Sequence, residues 1–309
     1  MLKKPTIFNL IVSMVYTILG PQKTDSNTVL PKKVDKYQLD YEIKKVNPYK
    51  NYLIGVYKYK NTKYFIKIWM GRKKSFQYYS LLNEYFTGKT FYKIISRENK
   101  TKHEKILIPQ VLEYFESENS LSVVFEYIDG KILSSFPLDY QAMIIAKVFK
   151  FLSEVTKKIK RSEREALAKR DFIFYFLSLP FFTFIAIISN LKAYRIILPA
   201  FISCIKNIGS IKNSKIILAH RDLCPDNVLI FNNNIYILDS ARMVLTIPEY
   251  DFSYLSVYEN FKKLCQIITQ TTDIRPNEFL KNHIAIQYFN IRDPQTGKRI
   301  FGNYLKKFS

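Results

Sequence analysis

The chain has 309 residues, 48% of them apolar, enough for the core of one two-lobed domain or two small ones. Lys and Arg (48) outnumber Asp and Glu (26), and the formal charge of +22 favours polyanions such as nucleotides or anionic lipids, although part of the excess reads as compositional bias. Cys204, Cys224 and Cys265 show no paired spacing and only three histidines occur, which argues against a disulfide framework, a zinc site or a His-based metal centre; no nucleic-acid motif accompanies the charge, so no nucleic-acid partner is expected.

Residues 1–20 (MLKKPTIFNLIVSMVYTILG) imitate a signal peptide, but Asn9, Ser13 and Thr17 interrupt the apolar run. They read better as an N-terminal helix packed on the fold or lying on a membrane surface. Residues 21–36 have the composition of a linker. Three stretches rich in aromatic and β-branched residues, 41–46 (YEIKKV), 53–59 (LIGVYKY) and 63–69 (KYFIKIW), are predicted strands, with a hairpin turn at Asn61-Thr62. Lys67 lies among apolar neighbours in the third, where a charge is costly unless paired or solvated. A helical stretch, 76–86 (FQYYSLLNEYF), places Glu84 seventeen residues further on, with Asn83 or Glu98 as alternatives in another register.

Residues 106–114 and 121–128 are predicted strands around the turn 117–120, and the second runs into EYIDGKIL. Residues 139–159 carry a helical apolar stripe. Next comes FIFYFLSLPFFTFIAIISNL, residues 172–191, uncharged and of membrane-spanning length. A second apolar segment, 195–208, follows it. Pro180 and Pro199 are expected to kink or break these helices. The two segments read either as buried core or as a surface offered to lipid, with Lys169, Arg170, Lys192 and Arg195 placed for anionic headgroups.

Residues 219–240, AHRDLCPDNVLIFNNNIYILDS, carry the chemistry. Asp222 follows an apolar run and Asn227 comes five residues later. Two short apolar runs, 228–231 and 235–238, flank Asn232-Asn233-Asn234, and Asn tolerates the left-handed backbone of a hairpin turn. Such a hairpin brings Asn227 and Asp239 to one space, two oxygen ligands suited to Mg²⁺, with Asp222 beside them to accept a hydroxyl proton.

This order, His-Arg-Asp, four residues, Asn, a strand hairpin and then Asp, resembles the protein-kinase-like superfamily. The resemblance covers about residues 41–268. It implies an α+β, two-lobed protein-kinase-like fold: a small antiparallel sheet with one helix, then a larger, mainly helical lobe. The implied division is 1–36 as N-terminal helix and linker, 37–128 as the ATP-binding lobe, and 129–309 as the catalytic lobe with an apolar insert at 172–208. It implies ATP and Mg²⁺ as cofactors, Asp222 as catalytic residue, and Asn227 and Asp239 as metal ligands. Lys67 would contact the α/β-phosphates with Glu84 holding it. The backbone of Glu126 to Ile128 would meet the adenine edge, with Phe125 behind it and Gly130 permitting the turn into the larger lobe.

The departures shift the subfamily. The stretch 47–55 has one glycine where protein kinases carry a Gly-rich loop, Cys224 replaces the usual Lys, and Asp239-Ser240-Ala241 replaces Asp-Phe-Gly. Only eleven residues separate Asp239 from Asp251, which opens a helical stretch at 251–268 and resembles the Asp that braces the catalytic loop. The pattern is similar to aminoglycoside phosphotransferase and lipopolysaccharide core kinase-type enzymes. It implies a small-molecule, glycan or lipid-linked hydroxyl acceptor and a cytoplasmic protein, either free or peripheral on the membrane's inner face through 172–208. An atypical protein kinase and a nucleotide-binding pseudokinase scaffold are the alternatives. The tail, 269–309, is basic and carries no motif.

Overall fold

The computed structural model describes residues 29–42, 52–71, 75–98, 105–240, 243–289 and 301–308. The expected N-terminal helix at 1–20 lies outside them. The chain separates into two compact units, Met1–Gly130 with Leu229–Ala241, and Lys131–Val228 with Arg242–Ser309.

In the first unit, strands β1 (Lys33–Val34), β2 (Tyr37–Glu42), β3 (Tyr52–Tyr59) and β4 (Thr62–Met70) precede helix α1 (Phe76–Glu98). Strands β5 (Ile106–Leu107), β6 (Val111–Glu116) and β7 (Ser120–Glu126) follow. Among the described residues the main sheet has the order β1-β2-β3-β4-β7-β6, and its neighbouring strands pair antiparallel. Lys60 and Asn61, both with positive φ, close the β3–β4 hairpin, one residue earlier than expected. The predicted strand at 106–114 is split. Pro109 has no N–H to give a ladder, so β5 leaves the main sheet and β6 begins two residues beyond the proline. Helix α1 runs twelve residues past the predicted end at 86, because Phe91, Ile94 and Ile95 continue its buried face.

The second unit holds α2 (Leu138–Lys157), β8 (Lys169–Arg170), α3 (Phe172–Ser189), α4 (Tyr194–Asn207) and β9 (Ile217–Ala219). Asp171 caps α3 by accepting from the Phe174 N–H at 3.2 Å. Pro180 and Pro199 lie inside continuous helices, so the expectation that they would break them does not hold. The hairpin strands β10 (Val228–Phe231) and β11 (Asn234–Ile237) turn at Asn232-Asn233, both with positive φ, and β11 pairs in parallel with β5. Beyond it the second unit resumes with β12 (Val244–Thr246), α5 (Tyr250–Ser256), α6 (Lys262–Thr271) and α7 (Glu278–Tyr288). The helix predicted at 251–268 is therefore two, separated by a 3₁₀ turn at Glu259–Phe261. Helix α7, in the tail that carried no motif, is buried along nearly its whole length.

Candidate active site

Strand β4 presents Lys67 opposite Val123 of β7 and Ile54 of β3, inside the sheet's packed face. Its ammonium donates to Glu84 Oε1 of α1 at 2.7 Å and to Asp239 Oδ1 at 3.1 Å. Glu84 is 3% exposed, and neither Asn83 nor Glu98 takes its place in this pair. Burial works against charge on Lys67, but the Asp239 and Glu84 carboxylates outweigh it and hold the ammonium above its ordinary pKa. The Phe125 ring lies 5.6 Å from the Lys67 nitrogen and edge-on to Phe65. Asp239 sits at φ +58°, a left-handed conformation uncommon outside glycine, just past the end of β11.

Beyond Phe125, the Glu126 N–H is already given to the Gln110 carbonyl at 2.9 Å, and its side chain accepts from the Gln110 N–H at 3.0 Å. Strand β7 ends there, so Ile128 lies in the irregular stretch that follows. A Cβ on Gly130 would meet the Ile230 carbonyl at 3.1 Å, so glycine serves close approach to the hairpin. Gly55 does not sit in a loop. It lies inside β3, where a Cβ would crowd Tyr57, Leu30 and Leu39; residues 47–51 fall outside the described residues.

Asp222 and Asn227 belong to the second unit. The buried Asp251 builds the loop that carries them: its carboxylate accepts from the His220 N–H at 2.7 Å and from the Arg221 N–H. Arg221 has φ +68°, so one side chain collects two successive amides of a strained turn. Burial raises the Asp251 pKa, while His220 and the two amides oppose that rise. Asn227 donates its amide N–H to the Asp222 backbone carbonyl at 2.7 Å, which leaves the amide oxygen as the atom a hard cation would take. Burial pushes the Cys224 thiol up to about 12, with Asp222 and Asp226 adding to it, so this is no thiolate nucleophile.

Sequence reasoning missed the bracing beneath this loop. The Arg221 guanidinium donates to Tyr288 of α7 at 3.1 Å and lies 5.5 Å from the Tyr250 ring. Arg170 of β8 is lowered to about 10, by burial first and by Arg221 second. Burial, then these two arginines, lowers His283 to about 3 and keeps it neutral. The apolar surroundings of His283 and Tyr288 in 279–288 (FLKNHIAIQY) were the available signal.

No family model matches the sequence, and no curated protein matches it. Solved structures do. An aminoglycoside phosphotransferase APH(4)-Ia variant, in ternary complex with AMP-PNP and hygromycin B, is similar with a TM-score of 0.60 at 10% identity, covering 88% of this chain and 92% of that one. The fold is that of the aminoglycoside phosphotransferases, within the protein-kinase-like class. The GDP complex of aminoglycoside 2'-phosphotransferase-IIIa is similar to this chain with a TM-score of 0.58 at 16% identity, covering 82% and 89%. Amicoumacin kinase hAmiN, in complex with AMP-PNP, Ca²⁺ and Ami, is similar with a TM-score of 0.58 at 11% identity, covering 89% and 88%.

Proposed function

We propose that this protein is an ATP-dependent phosphotransferase that moves the γ-phosphoryl group to a hydroxyl of a small-molecule acceptor. The observation that carries the reading is the network Glu84–Lys67–Asp239, at 2.7 and 3.1 Å. It keeps a largely buried ammonium charged and fixed before a polyphosphate arrives, which is the positioning that phosphoryl transfer requires. Solved structures of this fold with ADP, AMP-PNP or GDP support a nucleotide here.

Lys67 steadies the α/β-phosphates and Glu84 sets its direction. The carbonyl of Glu126 and the backbone of Ile128 meet the adenine edge, since the Glu126 N–H is already spent. Asp222 orients the acceptor hydroxyl and takes its proton. Among the described residues no three His, Cys, Asp or Glu side chains gather as a metal centre. The proposal gives Asp239 and Asn227 the role of Mg²⁺ ligands through one carboxylate and one amide oxygen, since Mg²⁺ binds through few protein oxygens, phosphates and water. When bound, Mg²⁺ neutralises charge between the β- and γ-phosphates.

The charge of +22 bears on the acceptor, because a strongly basic protein repels a polycation. The acceptor is therefore neutral or anionic, and a glycan or lipid-linked hydroxyl at an anionic membrane surface is the finer reading. The exposed apolar surface within 172–208 favours it. A need for ATP favours the cytoplasm as its compartment.

The test is an acceptor screen with labelled ATP, comparing wild type with Asp222→Ala and Asp239→Ala. Each substitution should lower transfer about 100- to 1,000-fold, the usual loss for one transition-state-stabilising group. Near-wild-type turnover in either variant would overturn the residue roles, and transfer confined to polycationic acceptors would overturn the acceptor class.

A further inference from the structure

We propose that the second unit docks on an anionic lipid bilayer through the outward faces of α3 and α4, lying in the interface without crossing it. Helix α3 has two apolar faces. One, through Tyr175, Leu179, Phe182 and Ala186, is buried. The other, at helical spacing, exposes Ile173, Phe176, Leu177, Phe181, Phe184 and Ile188, with Leu177 and Phe184 each 63% exposed. Helix α4 repeats the pattern: Ile197, Ala200 and Cys204 are buried while Leu198, Ile202 and Ile205 face solvent.

The buried faces already have their partner in α7. Tyr175 and Phe182 stand edge-on to His283 at 5.0 and 5.9 Å, and Ser178 Oγ lies 3.0 Å from His283 Nε2. On α4, the Cys204 thiol reaches the Phe279 carbonyl at 3.8 Å and Ser203 Oγ accepts from Asn282 at 3.0 Å. The outward apolar residues therefore have no core left to complete within this unit, and a contiguous exposed patch of this kind marks an interaction surface. A water-facing helix would carry polar groups there.

Charge selects the occupant. From residue 172 to 221 the sequence holds no Asp or Glu, while Lys192, Arg195, Lys206, Lys212 and Lys215 are all exposed. Arg195 lies against the ring of its exposed neighbour Tyr194, at 5.8 Å from the centroid, a pairing that suits the headgroup layer. At the corner between the helices, Asn190 and Lys192 line an open cleft of about 470 Å³ with Asn303 and Lys306, room for a lipid phosphate beside apolar Ile196 and Phe289. Apart from Asp171 at the N-cap of α3, which is paired with Lys169 at 2.7 Å, the charges flanking these apolar side chains in sequence are cations, which matches an anionic bilayer that takes up the former and attracts the latter. Among the described residues no helix is long and apolar enough to cross a membrane, consistent with a surface mode.

The experiment is co-sedimentation of the full chain with vesicles of phosphatidylcholine, alone or with about a third phosphatidylglycerol, at low and high salt. Wild type should partition onto the anionic vesicles and more weakly onto the neutral ones. Phe176→Ser, Leu177→Ser, Phe184→Ser and Ile188→Ser together should lower partitioning at least about tenfold, since each removes apolar area from the interface. Lys192→Gln with Arg195→Gln and Lys206→Gln should abolish the preference for phosphatidylglycerol. These side chains are exposed, and circular dichroism should show unchanged folding; if the quadruple variant misfolds, Phe184→Ser with Ile188→Ser replaces it. Equal partitioning of wild type and the serine variant overturns the proposal, as does failure of wild type to bind. A lipid-free dimer that the serine substitutions dissociate, without vesicle binding by the monomer, would assign the face to a second copy instead.

Discussion

At the scale of single residues, the buried carboxylates around the candidate site have specific partners. Asp251 shows the logic: a carboxylate that is costly to bury is retained because two amides of a strained turn need an acceptor. His283 shows the reverse, an imidazole kept neutral by its surroundings. Its folded pKa, about 3, lies below the ordinary value of 6.5, so below pH 6.5 the unfolded chain binds the extra proton and the folded chain does not. Stability should therefore be full above pH 6.5 and fall by about 1.4 kcal/mol per pH unit as the pH drops toward the folded pKa. Thermal melting of wild type and His283→Gln between pH 7 and pH 4 checks this against the ordinary value of 6.5; the variant should show a shallower loss. Lys67 could be read as functional from sequence because a lysine amid Phe65, Ile66, Ile68 and Trp69 needs a reason. Asp239's left-handed backbone could not, since nothing around Leu238-Asp239-Ser240 demands it.

At the scale of elements, α1 is fixed against the sheet by a missing side chain. Gly88 lies one turn beyond Glu84, on the same face of the helix. A Cβ there would come within 2.4 Å of Val111 Cγ2 and 3.1 Å of Ser240 Oγ. Valine is stiff, so Gly88→Ala should push α1 from β6 and cost about 1–3 kcal/mol, the usual range for overpacking. Because Glu84 rides on α1 and Ser240 follows Asp239, the same variant should also weaken nucleotide affinity, read by ligand-induced thermal shift. The hairpins were the most legible elements: Asn232-Asn233 accepts positive φ at both turn positions. Helix α3 was legible as apolar but not as what it is. Periodicity cannot separate a buried face from an exposed one when both are hydrophobic, and neither proline was a reliable terminator in a helix held by tertiary contacts.

At the scale of the whole molecule, fold class followed from one constellation of polar residues. The connectivity of the tail did not, because α7 buries Asn282, His283 and Gln287 among its apolar residues and so blurs the stripe that marks a core helix. Among the described residues the basic excess is set off locally where structure needs it, as where Glu84 and Asp239 neutralise Lys67, while 172–221 holds no carboxylate of its own.

The first unit is sewn from two distant pieces of polypeptide, since Leu229–Ala241 joins Met1–Gly130 only after nearly a hundred intervening residues. On the ribosome the early sheet emerges long before β11, the neighbour of β5, and long before Asp239, the counter-charge of Lys67. Until that late hairpin arrives, an ammonium meant for burial has Glu84 alone to offset it. On the proposed function, competence to bind nucleotide is thereby deferred until most of the second unit has been translated.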